Sequence, residues 1–318
     1  MAELKSMRIA YGEALVQLGR DNEDVIVLSA DVANSDHSYM FAEVFPERFI
    51  NVGIAEQALV DVAVGIANCG RIPFINTFAF LFATRALEMI RTHLCYGKAN
   101  VKLMAAYAGL SDSFDGPTHH SVTDLAIMRS LPGMTVVVPG DPVALGKLLP
   151  QVAAWPGPVY VRLNRNEVPV LFDESYSPEI GKAVILRPGN DVTIICTGLM
   201  VGRTLNAAVA LDKEGISARV IEIHTLKPID SDTIVKAARE TGAVVTAEEA
   251  SIIGGLGGAV AEILSGEFPV PLKRVGIPDR FAETGPYDKI LDRYGMSVDD
   301  IIAASQNAIA AKREDRDS

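Results

Sequence analysis

The chain has 318 residues, of which 49% are hydrophobic and 22% are charged, and this length supplies apolar side chains for the cores of two ordinary domains. Its formal net charge of −11 argues against nucleic acid as a partner, because a phosphate backbone is held by clustered Lys and Arg side chains. It contains no apolar run long enough for a membrane span and no basic segment followed by an apolar stretch, so we expect a cytoplasmic protein without a membrane partner.

In the first half of the chain, short apolar runs alternate with segments of helical period. This pattern is typical of βα units around a mostly parallel sheet. Strands are predicted at residues 25–31, 71–77, 101–108, 135–141 and 158–164, and a buried helix at 56–70. Ligands in open α/β sheets bind beyond the carboxyl ends of the strands, so we expect Asp31, the 109–121 loop and Arg165 to meet there.

The periodicity fades between residues 164 and 190, where three prolines and mixed charges predict a connector. A second α/β set follows, with strands at 191–198, 218–226 and 243–249 and helices at 202–214, at 230–241 and from about Gly257. The fold class is therefore α/β, in two domains with mostly parallel sheets. We place the domains at 1–172 and 190–310, with a linker at 173–189 and a frayed, solvated tail at 311–318.

Glu56 stands in the apolar segment "NVGIAEQALVDVAVG", where an ionised carboxylate must find a partner. One interpretation is that Glu56 begins its helix, where a carboxylate favours the positive end of the helix dipole. The other is a buried carboxylate held for a protonatable nitrogen of a ligand. The pattern alone leaves both open.

The loop "SDSFDGPTHHS" places two histidines directly after an Asp-Gly-Pro turn. It can be an ordinary surface turn with solvated histidines, or a substrate clamp in which one imidazole faces a cleft and donates to hydroxyl groups. A metal site is not predicted, because adjacent residues rarely chelate one ion and no third ligand is evident. The three cysteines are widely separated and form no CxxC pair, which also predicts neither a zinc site nor a disulfide framework.

Two further motifs have structural and functional interpretations. The segment "GGLGG" at 254–258 opens a predicted helix and could hold an anion, but close helix packing is the simpler role. Phe78, Phe80 and Phe82 lie in "TFAFLFATRALEMIR", and aromatic residues in such a run are more often core than cofactor contacts.

In their order along the chain, these segments resemble the C-terminal half of a transketolase. The resemblance rests on "LSADVANS", "VGIAEQ", "INTFAFLFATRA", "FDGPTHHSVTDLAIMRSLPGMTVVVPGD", "RLNRN", "VTIICTGLMVG" and "AEEASIIGGLGGAVAE". The GDG motif and Asn-containing metal loop, with which the family holds the diphosphate and metal of thiamine diphosphate, are missing. The chain is therefore similar to the C-terminal subunit of a split transketolase, with the pyrimidine-binding and C-terminal domains.

This resemblance implies a partner. A transketolase N-terminal subunit would carry the diphosphate together with Mg²⁺ or Ca²⁺, and an α2β2 heterotetramer is expected. The resemblance also gives Glu56 a catalytic role, since the matching Glu favours the imino tautomer of the aminopyrimidine ring, whose nitrogen removes the thiazolium proton. Phe78 matches the aromatic that packs on the pyrimidine, and Asp31 an acidic residue near the cofactor. Leu81 stands where many relatives have another aromatic, a position that Phe80 or Phe82 could fill.

The resemblance also assigns residues to the sugar substrate. His119, as a catalytic residue, and Asp115 match groups that contact donor hydroxyls, so they would orient the sugar and stabilise its developing oxyanion. Arg8, Ser35 and Arg165 fall where transketolases hold a terminal phosphate. Tyr107 is a departure, because it replaces a phosphate-contacting His and leaves the end group of the substrate open.

The function implied is transfer of a two-carbon ketol unit from a ketose, or ketose phosphate, to an aldose acceptor. Two alternatives remain open at this point. The chain could be the β subunit of another thiamine-dependent enzyme, either a 2-oxo-acid dehydrogenase or a deoxyxylulose-phosphate-synthase-like enzyme. It could also be a non-catalytic assembly subunit that keeps the fold without the chemistry.

Overall fold

A computed structural model describes residues 3–317, and the side chains of 315–317 lie outside that description. It has two α/β domains with mostly parallel sheets, which confirms the predicted class. The strands are β1 Leu4–Ser6, β2 Val25–Ser29, β3 Phe49–Asn51, β4 Ile72–Phe78, β5 Lys102–Ala106, β6 Thr135–Val137, β7 Val159–Arg162, β8 Glu167–Pro169, β9 Val184–Arg187, β10 Val192–Cys196, β11 Ala218–Glu222, β12 Thr225–Lys227, β13 Val244–Ser251 and β14 Leu272–Ile277.

The helices lie mainly between these strands, as βα units require. They are α1 Met7–Asp21, α2 Ala33–Asp36, α3 Tyr39–Val44, α4 Glu56–Asn68, α5 Ala79–Ala83, α6 Leu87–Met89, α7 Asp124–Ser130, α8 Pro142–Ala154, α9 Met200–Lys213, α10 Ser231–Thr241, α11 Leu256–Glu267, α12 Tyr287–Arg293 and α13 Val298–Asp317. A 3₁₀ turn at Pro46–Arg48 and a π-helical turn at Ile90–Tyr96 complete them. Within residues 3–317, every helix is too short or too polar to cross a bilayer.

The first sheet has seven strands in the order β12-β6-β7-β5-β4-β2-β3, and all neighbours are parallel except β12 and β6. Its strands are buried on both faces, as the short apolar runs of the sequence require. One apolar cluster lies around α1 and α8, and another runs between the first sheet and the second domain. The parallel arrangement brings the carboxyl ends of β7, β5, β4, β2 and β3 to one edge.

The second sheet has the order β14-β13-β10-β11-β9, in which only β9 is antiparallel to its neighbour. Three details differ from the sequence-based expectations. The predicted linker contains an edge strand, β9, and the end of the predicted strand 218–226 leaves the second sheet to pair as β12 with β6. Residues 311–317 continue α13 instead of forming a frayed tail, and Ser318 lies outside the described residues.

A two-stranded sheet brings the two ends of the first domain together. β1 pairs antiparallel with β8, so that Ser6 faces Glu167. Ser6 also caps α1, because its Oγ accepts a hydrogen bond from the backbone N–H of Ile9. Arg8, in the first turn of α1, is thereby placed beside Arg165, which lies two residues before β8.

The "GGLGG" segment at the start of α11 binds a carboxylate of its own chain. The Glu248 oxygens accept hydrogen bonds from the N–H groups of Leu256, at 2.7 Å, and Gly257, at 2.8 Å. A Cβ at position 255 would lie 2.0 Å from Glu248 Oε2, so Gly255 is required for this approach. The anion that the positive end of the helix favours is therefore already supplied, and close packing is the role of the glycines.

A buried ion pair joins the two domains. Arg162, at the end of β7, donates to both carboxylate oxygens of Asp124 in α7, and Tyr160 donates to Asp124 Oδ2 at 2.6 Å. The same guanidinium donates to the carbonyl of Glu249 in β13, at 3.0 Å, and to the carbonyl of Ser121, at 2.9 Å. One side chain therefore connects the first sheet, the second domain and the end of the 109–121 loop.

We expect Asp124→Asn to lower the free energy of unfolding by about 3 kcal/mol or more, because it leaves the Arg162 charge buried without a full counter-charge. Chemical denaturation measures the change. The control is Asp24→Asn, which weakens the half-exposed pair of Asp24 with Arg71 and should cost less than about 1 kcal/mol. Equal losses in the two variants would contradict a structural role for the buried pair.

Candidate active site

The carboxyl edge of the first sheet carries five of the predicted site residues in one row. Arg165 follows β7, Tyr107 follows β5, Phe78 ends β4, Asp31 follows β2, and Glu56 begins the helix after β3. Because the strand order is β7-β5-β4-β2-β3, these residues are neighbours along the edge although up to 134 positions separate them in the sequence. The row has a carboxylate end at Glu56 and an arginine end at Arg165.

Glu56 is a buried carboxylate and the first residue of its helix, so both interpretations of the sequence apply to it. Its side chain is 1% exposed, and both its oxygens accept from Nη1 of Arg85, at 3.1 and 2.9 Å. The Arg85 side chain is 52% exposed. The ion pair therefore has a buried carboxylate and a cation that reaches solvent.

Asp31 lies near the Glu56 end of the row and contacts a different partner. Its Oδ1 accepts from Nδ2 of Asn51, at 2.8 Å, and its side chain is exposed. Asp31 and Tyr107 both have left-handed backbones, with φ of 62° and 60°. Such a conformation costs a non-glycine residue roughly 1–3 kcal/mol, and this strain is concentrated at functional sites.

The aromatic run divides between the site and the core. Phe78 is partly buried and stacks on Tyr107, with ring centroids 4.7 Å apart, while Leu81 is buried in α5. Phe82 is fully buried against Tyr160 in the core. The suggestion that Phe82 could replace an aromatic at position 81 is therefore wrong, and Phe80 is the partly exposed aromatic beside the site.

Arg8, Tyr107 and Arg165 form one cluster with the backbone carbonyl of Ser35, and the role of these residues in binding a substrate stays a prediction. Arg8 donates to the carbonyls of Arg165, at 2.8 Å, and Ser35, at 2.6 Å, and to the Tyr107 hydroxyl, at 3.4 Å. The Arg165 guanidinium carbon lies 4.9 Å from the centroid of the Tyr107 ring and that of Arg8 lies 5.5 Å from it, within cation–π range. Tyr107 therefore packs against both arginines.

Two aspartates of the 109–121 loop contact Arg165. Its Nη1 donates to Asp112 Oδ1 and to Asp115 Oδ2, the second at 3.2 Å. Asp112 is 1% exposed, whereas Asp115 is exposed. Burial raises the pKa of Asp112 to about 6 despite the opposing charge of Arg165, and a hydrogen bond with Asp112 lowers the pKa of Asp115.

The two histidines of the loop have different environments. His119 is partly exposed, its Nδ1 lies 3.0 Å from Thr118 Oγ1, and its ring meets the edge of Phe80 at 5.1 Å between centroids. His120 is buried, and burial lowers the pKa of its imidazole. The loop thus presents one imidazole beside the row and buries the other. The catalytic role of His119 stays a prediction.

The second domain holds the loop in place. Glu249 is buried, and its Oε1 accepts from the N–H of Leu110 at 2.7 Å, while the N–H of Gly285 donates to the carbonyl of Ser113 at 3.0 Å. Gly109 has φ of 64°, and a Cβ there would lie 2.4 Å from Glu249 Oε1. We expected Asp31, the 109–121 loop and Arg165 to lie together. The loop contacts Arg165 through Asp112 and Asp115, whereas Asp31 lies farther along the same edge of the sheet.

Sequence reasoning missed Arg85, Asn51 and Asp112. Arg85 lies 29 positions from Glu56, and no local pattern connects the two. Asp112 lay within the loop motif, but its pairing with Arg165 depends on how β5 and β7 lie side by side. Across residues 3–317 there is no cluster of three His, Cys, Asp or Glu side chains that could hold a metal ion.

Two family models match the chain: "Transketolase, pyrimidine binding domain" over residues 4–170, and "Transketolase, C-terminal domain" over residues 181–301. A solved structure described as "Split gene transketolase, inactive beta4 tetramer" is 47% identical, with a TM-score of 0.91, covering 97% of this chain and 99% of that one. The 6-deoxy-6-sulfo-D-fructose transketolase subunit SqwH of Clostridium sp. (strain MSTE9) is 39% identical, over 96% of this chain and 95% of its own. An apulose-4-phosphate transketolase subunit of Phocaeicola vulgatus is 37% identical, over 92% and 94%.

We expect the Asp112 carboxyl group to titrate near pH 6, because burial and the neighbouring Asp115 raise its pKa by more than the charges of Arg165 and His119 lower it. Its pKa in the folded chain lies above the value of about 4 in an unfolded chain, so the folded state binds this proton more tightly. The stabilisation from Asp112 is therefore complete below about pH 4 and is lost as the pH rises through 6. Carboxyl ¹³C NMR, with Asp112→Asn to assign the signal, measures the midpoint. A midpoint near 4 would contradict the buried environment.

Proposed function

Because this chain belongs to the transketolase family, we propose that it is the C-terminal subunit of a split transketolase that transfers a two-carbon ketol unit from a ketose to an aldose. The observation that carries the proposal is the row of residues along the sheet edge. It ends at one side in the buried carboxylate of Glu56 and at the other in the loop with Asp115 and His119. A cofactor and a sugar would therefore bind side by side.

Thiamine diphosphate is the cofactor that the family implies, and the described residues fit its aminopyrimidine end. Glu56 offers a buried carboxylate, Phe78 a partly buried ring, and Leu81 an apolar side chain, with Asp31 next along the edge. The described residues offer no group of three His, Cys, Asp or Glu side chains that could hold a metal ion. In this proposal, the diphosphate and its Mg²⁺ or Ca²⁺ are held by the N-terminal subunit, because the chain lacks the GDG motif and the Asn-containing metal loop with which the family holds them.

When bound, thiamine diphosphate supplies the carbon nucleophile that this chemistry needs. Glu56 would hold a proton at a pyrimidine ring nitrogen, since a carboxylate that is 1% exposed interacts with little screening by water. Arg85 compensates the charge of the carboxylate, and each oxygen retains a lone pair for a further hydrogen bond.

The loop would act on the sugar. Asp115 is exposed and His119 partly exposed, so both can reach substrate hydroxyls without first breaking the core. His119 would donate a hydrogen bond to the oxygen on which negative charge develops, and Asp115 would fix a hydroxyl for the correct orientation. Arg8, Ser35, Tyr107 and Arg165 would then surround the far end of the sugar.

The partner is part of the proposal. Two relatives that cover nearly the whole chain are named as transketolase subunits, and the structural neighbour is an inactive tetramer of β chains. These findings imply an N-terminal subunit for this chain, and we propose that two of each associate as α2β2. Ketol transfer would then require both chains.

A substrate panel separates this function from the alternatives. The complex should transfer two carbons from a ketose to an aldose. Decarboxylation of pyruvate alone would indicate a 2-oxo-acid dehydrogenase, and condensation of pyruvate with glyceraldehyde 3-phosphate would indicate a deoxyxylulose-phosphate synthase.

We expect Glu56→Gln to lower kcat for ketol transfer by at least about a hundredfold in the complex with the N-terminal subunit, because the amide keeps the shape but cannot exchange the proton. The control is Glu267→Gln at an exposed position on α11, which should leave kcat unchanged. Steady-state kinetics and thermal unfolding of both variants separate loss of chemistry from loss of fold. Full activity of Glu56→Gln would contradict the mechanism and favour an assembly role.

A further inference from the structure

Asp112 is a buried acid that pairs with the arginine at the far end of the row. It belongs to the 109–121 loop, its side chain is 1% exposed, and it accepts a hydrogen bond from Nη1 of Arg165. Neither orienting a sugar hydroxyl nor holding the cofactor requires this carboxylate. Burying a charge costs free energy unless a partner compensates it. Arg165 is the partner of Asp112, and Asp112 in turn supplies a negative charge beside the Arg165 guanidinium.

Arg165 carries little charge that is free to bind an anion. Its Nη1 also contacts Asp115, so two carboxylates share one guanidinium group. The ring of Tyr107 lies against the guanidinium, and its hydroxyl accepts from Arg8 instead of Arg165. Its Nε and Nη2 have no hydrogen-bond partner among the described residues, so the effect of the two aspartates is to balance the charge of the guanidinium and to occupy one of its nitrogens.

Two nitrogens of Arg8 also donate hydrogen bonds within the protein. Its Nε and Nη1 donate to the carbonyls of Arg165 and Ser35, and Nη1 also reaches the Tyr107 hydroxyl. The fully buried Asp36 lies close enough for the charge of Arg8 to lower its pKa, although burial raises that pKa to about 7 overall. Two arginines therefore face Asp112, Asp115 and Asp36, and the far end of the row has no surplus positive charge.

We propose that Asp112 is a specificity-determining positioning residue that neutralises Arg165, so that the site selects sugars with an uncharged terminal group over sugars with a terminal phosphate. The inference rests on the proposed ketol transfer and names its substrate class. A terminal hydroxyl group of a sugar can both donate a hydrogen bond to a carboxylate and accept one from an arginine at this end of the row. A phosphate dianion bound at Arg165 would lie beside the carboxylates of Asp112 and Asp115, and like charges brought together in an interface strongly disfavour binding.

The first experiment compares two donors in the complex with the N-terminal subunit: xylulose and xylulose 5-phosphate. We expect kcat/KM of the wild type to be at least as high for xylulose. Asp112→Asn should shift the ratio toward the phosphate by about tenfold or more, mainly through KM, because it removes a charge and keeps the shape. A wild type that strongly prefers the phosphate, or a ratio unchanged in Asp112→Asn, would overturn the inference.

The matched control is Asp212→Asn. Asp212 also pairs with an arginine, Arg187, but on the surface of the second domain. This variant should keep the donor ratio of the wild type. A similar shift in both variants would assign the effect to general charge and would also overturn the proposal.

A second experiment needs neither activity nor the partner. Calorimetric titration of the full chain with sodium sulfate reports anion binding, and sulfate stays a dianion from pH 5 to 8. We expect weak binding to the wild type at pH 8 that strengthens at pH 5, when Asp112 is protonated. Asp112→Asn should bind about tenfold more tightly at pH 8, with a smaller pH dependence. The charged and titratable groups Asp36, His37, Asp115 and His119 also lie close to the arginines, so the difference between wild type and variant isolates Asp112.

The two experiments distinguish failure of the proposed ketol transfer from failure of the proposed neutralisation of Arg165. If the complex transfers no ketol unit from any ketose while sulfate binds as expected, the proposed function fails and the neutralisation of Arg165 stands. If sulfate binds equally well to wild type and Asp112→Asn at pH 8, the neutralisation is wrong even when ketol transfer is observed.

Discussion

The ion pair between Arg162 and Asp124 is the interaction on which the rest of the site depends. Its guanidinium is held by the first sheet, and its remaining donors reach the second domain at Glu249 and the loop at Ser121. The loop is thereby fixed at its carboxyl end, while Glu249 binds Leu110 at its amino end. The second domain thus acts as a support for the loop that carries Asp112, Asp115 and His119. Such support is needed wherever a loop must place catalytic groups accurately.

The edge of the sheet separates two kinds of chemistry. At one end, the buried carboxylate of Glu56 pairs with Arg85, whose side chain reaches solvent. At the other end, arginines and aspartates balance each other around Tyr107, which suits a polar group without a large charge. The distance between the ends is set by strand spacing and not by the loop. Substrates of different kinds could therefore be served by changes at the arginine end without disturbing the cofactor end.

The fold class was predictable from the sequence, and so was the placement of several candidate site residues after the strands of the first sheet, because both depend on local patterns. Alternating apolar runs indicated the parallel sheets, and the motif around "DGPTHHS" identified the loop. The exceptions are pairings over long distances: β12 leaves its own domain for β6, and β9 forms inside a segment whose prolines predicted a linker. Phe82 is a further exception. Its place one residue after Leu81 suggested an aromatic at the cofactor site, but it packs against Tyr160 in the core. Arg85 and Asp112 were missed because their importance lies in one contact with a distant residue.

The central claim is that this chain contributes half of an active site and works only with an N-terminal subunit. The most direct measurement is ketol transfer at saturating thiamine diphosphate and Mg²⁺, while this chain is titrated into a fixed amount of that subunit. We expect no transfer from either chain alone, and activity that rises linearly and reaches its maximum at equal amounts of the two chains. Full activity of this chain by itself, or activity of the N-terminal subunit that does not change when this chain is added, would contradict the claim.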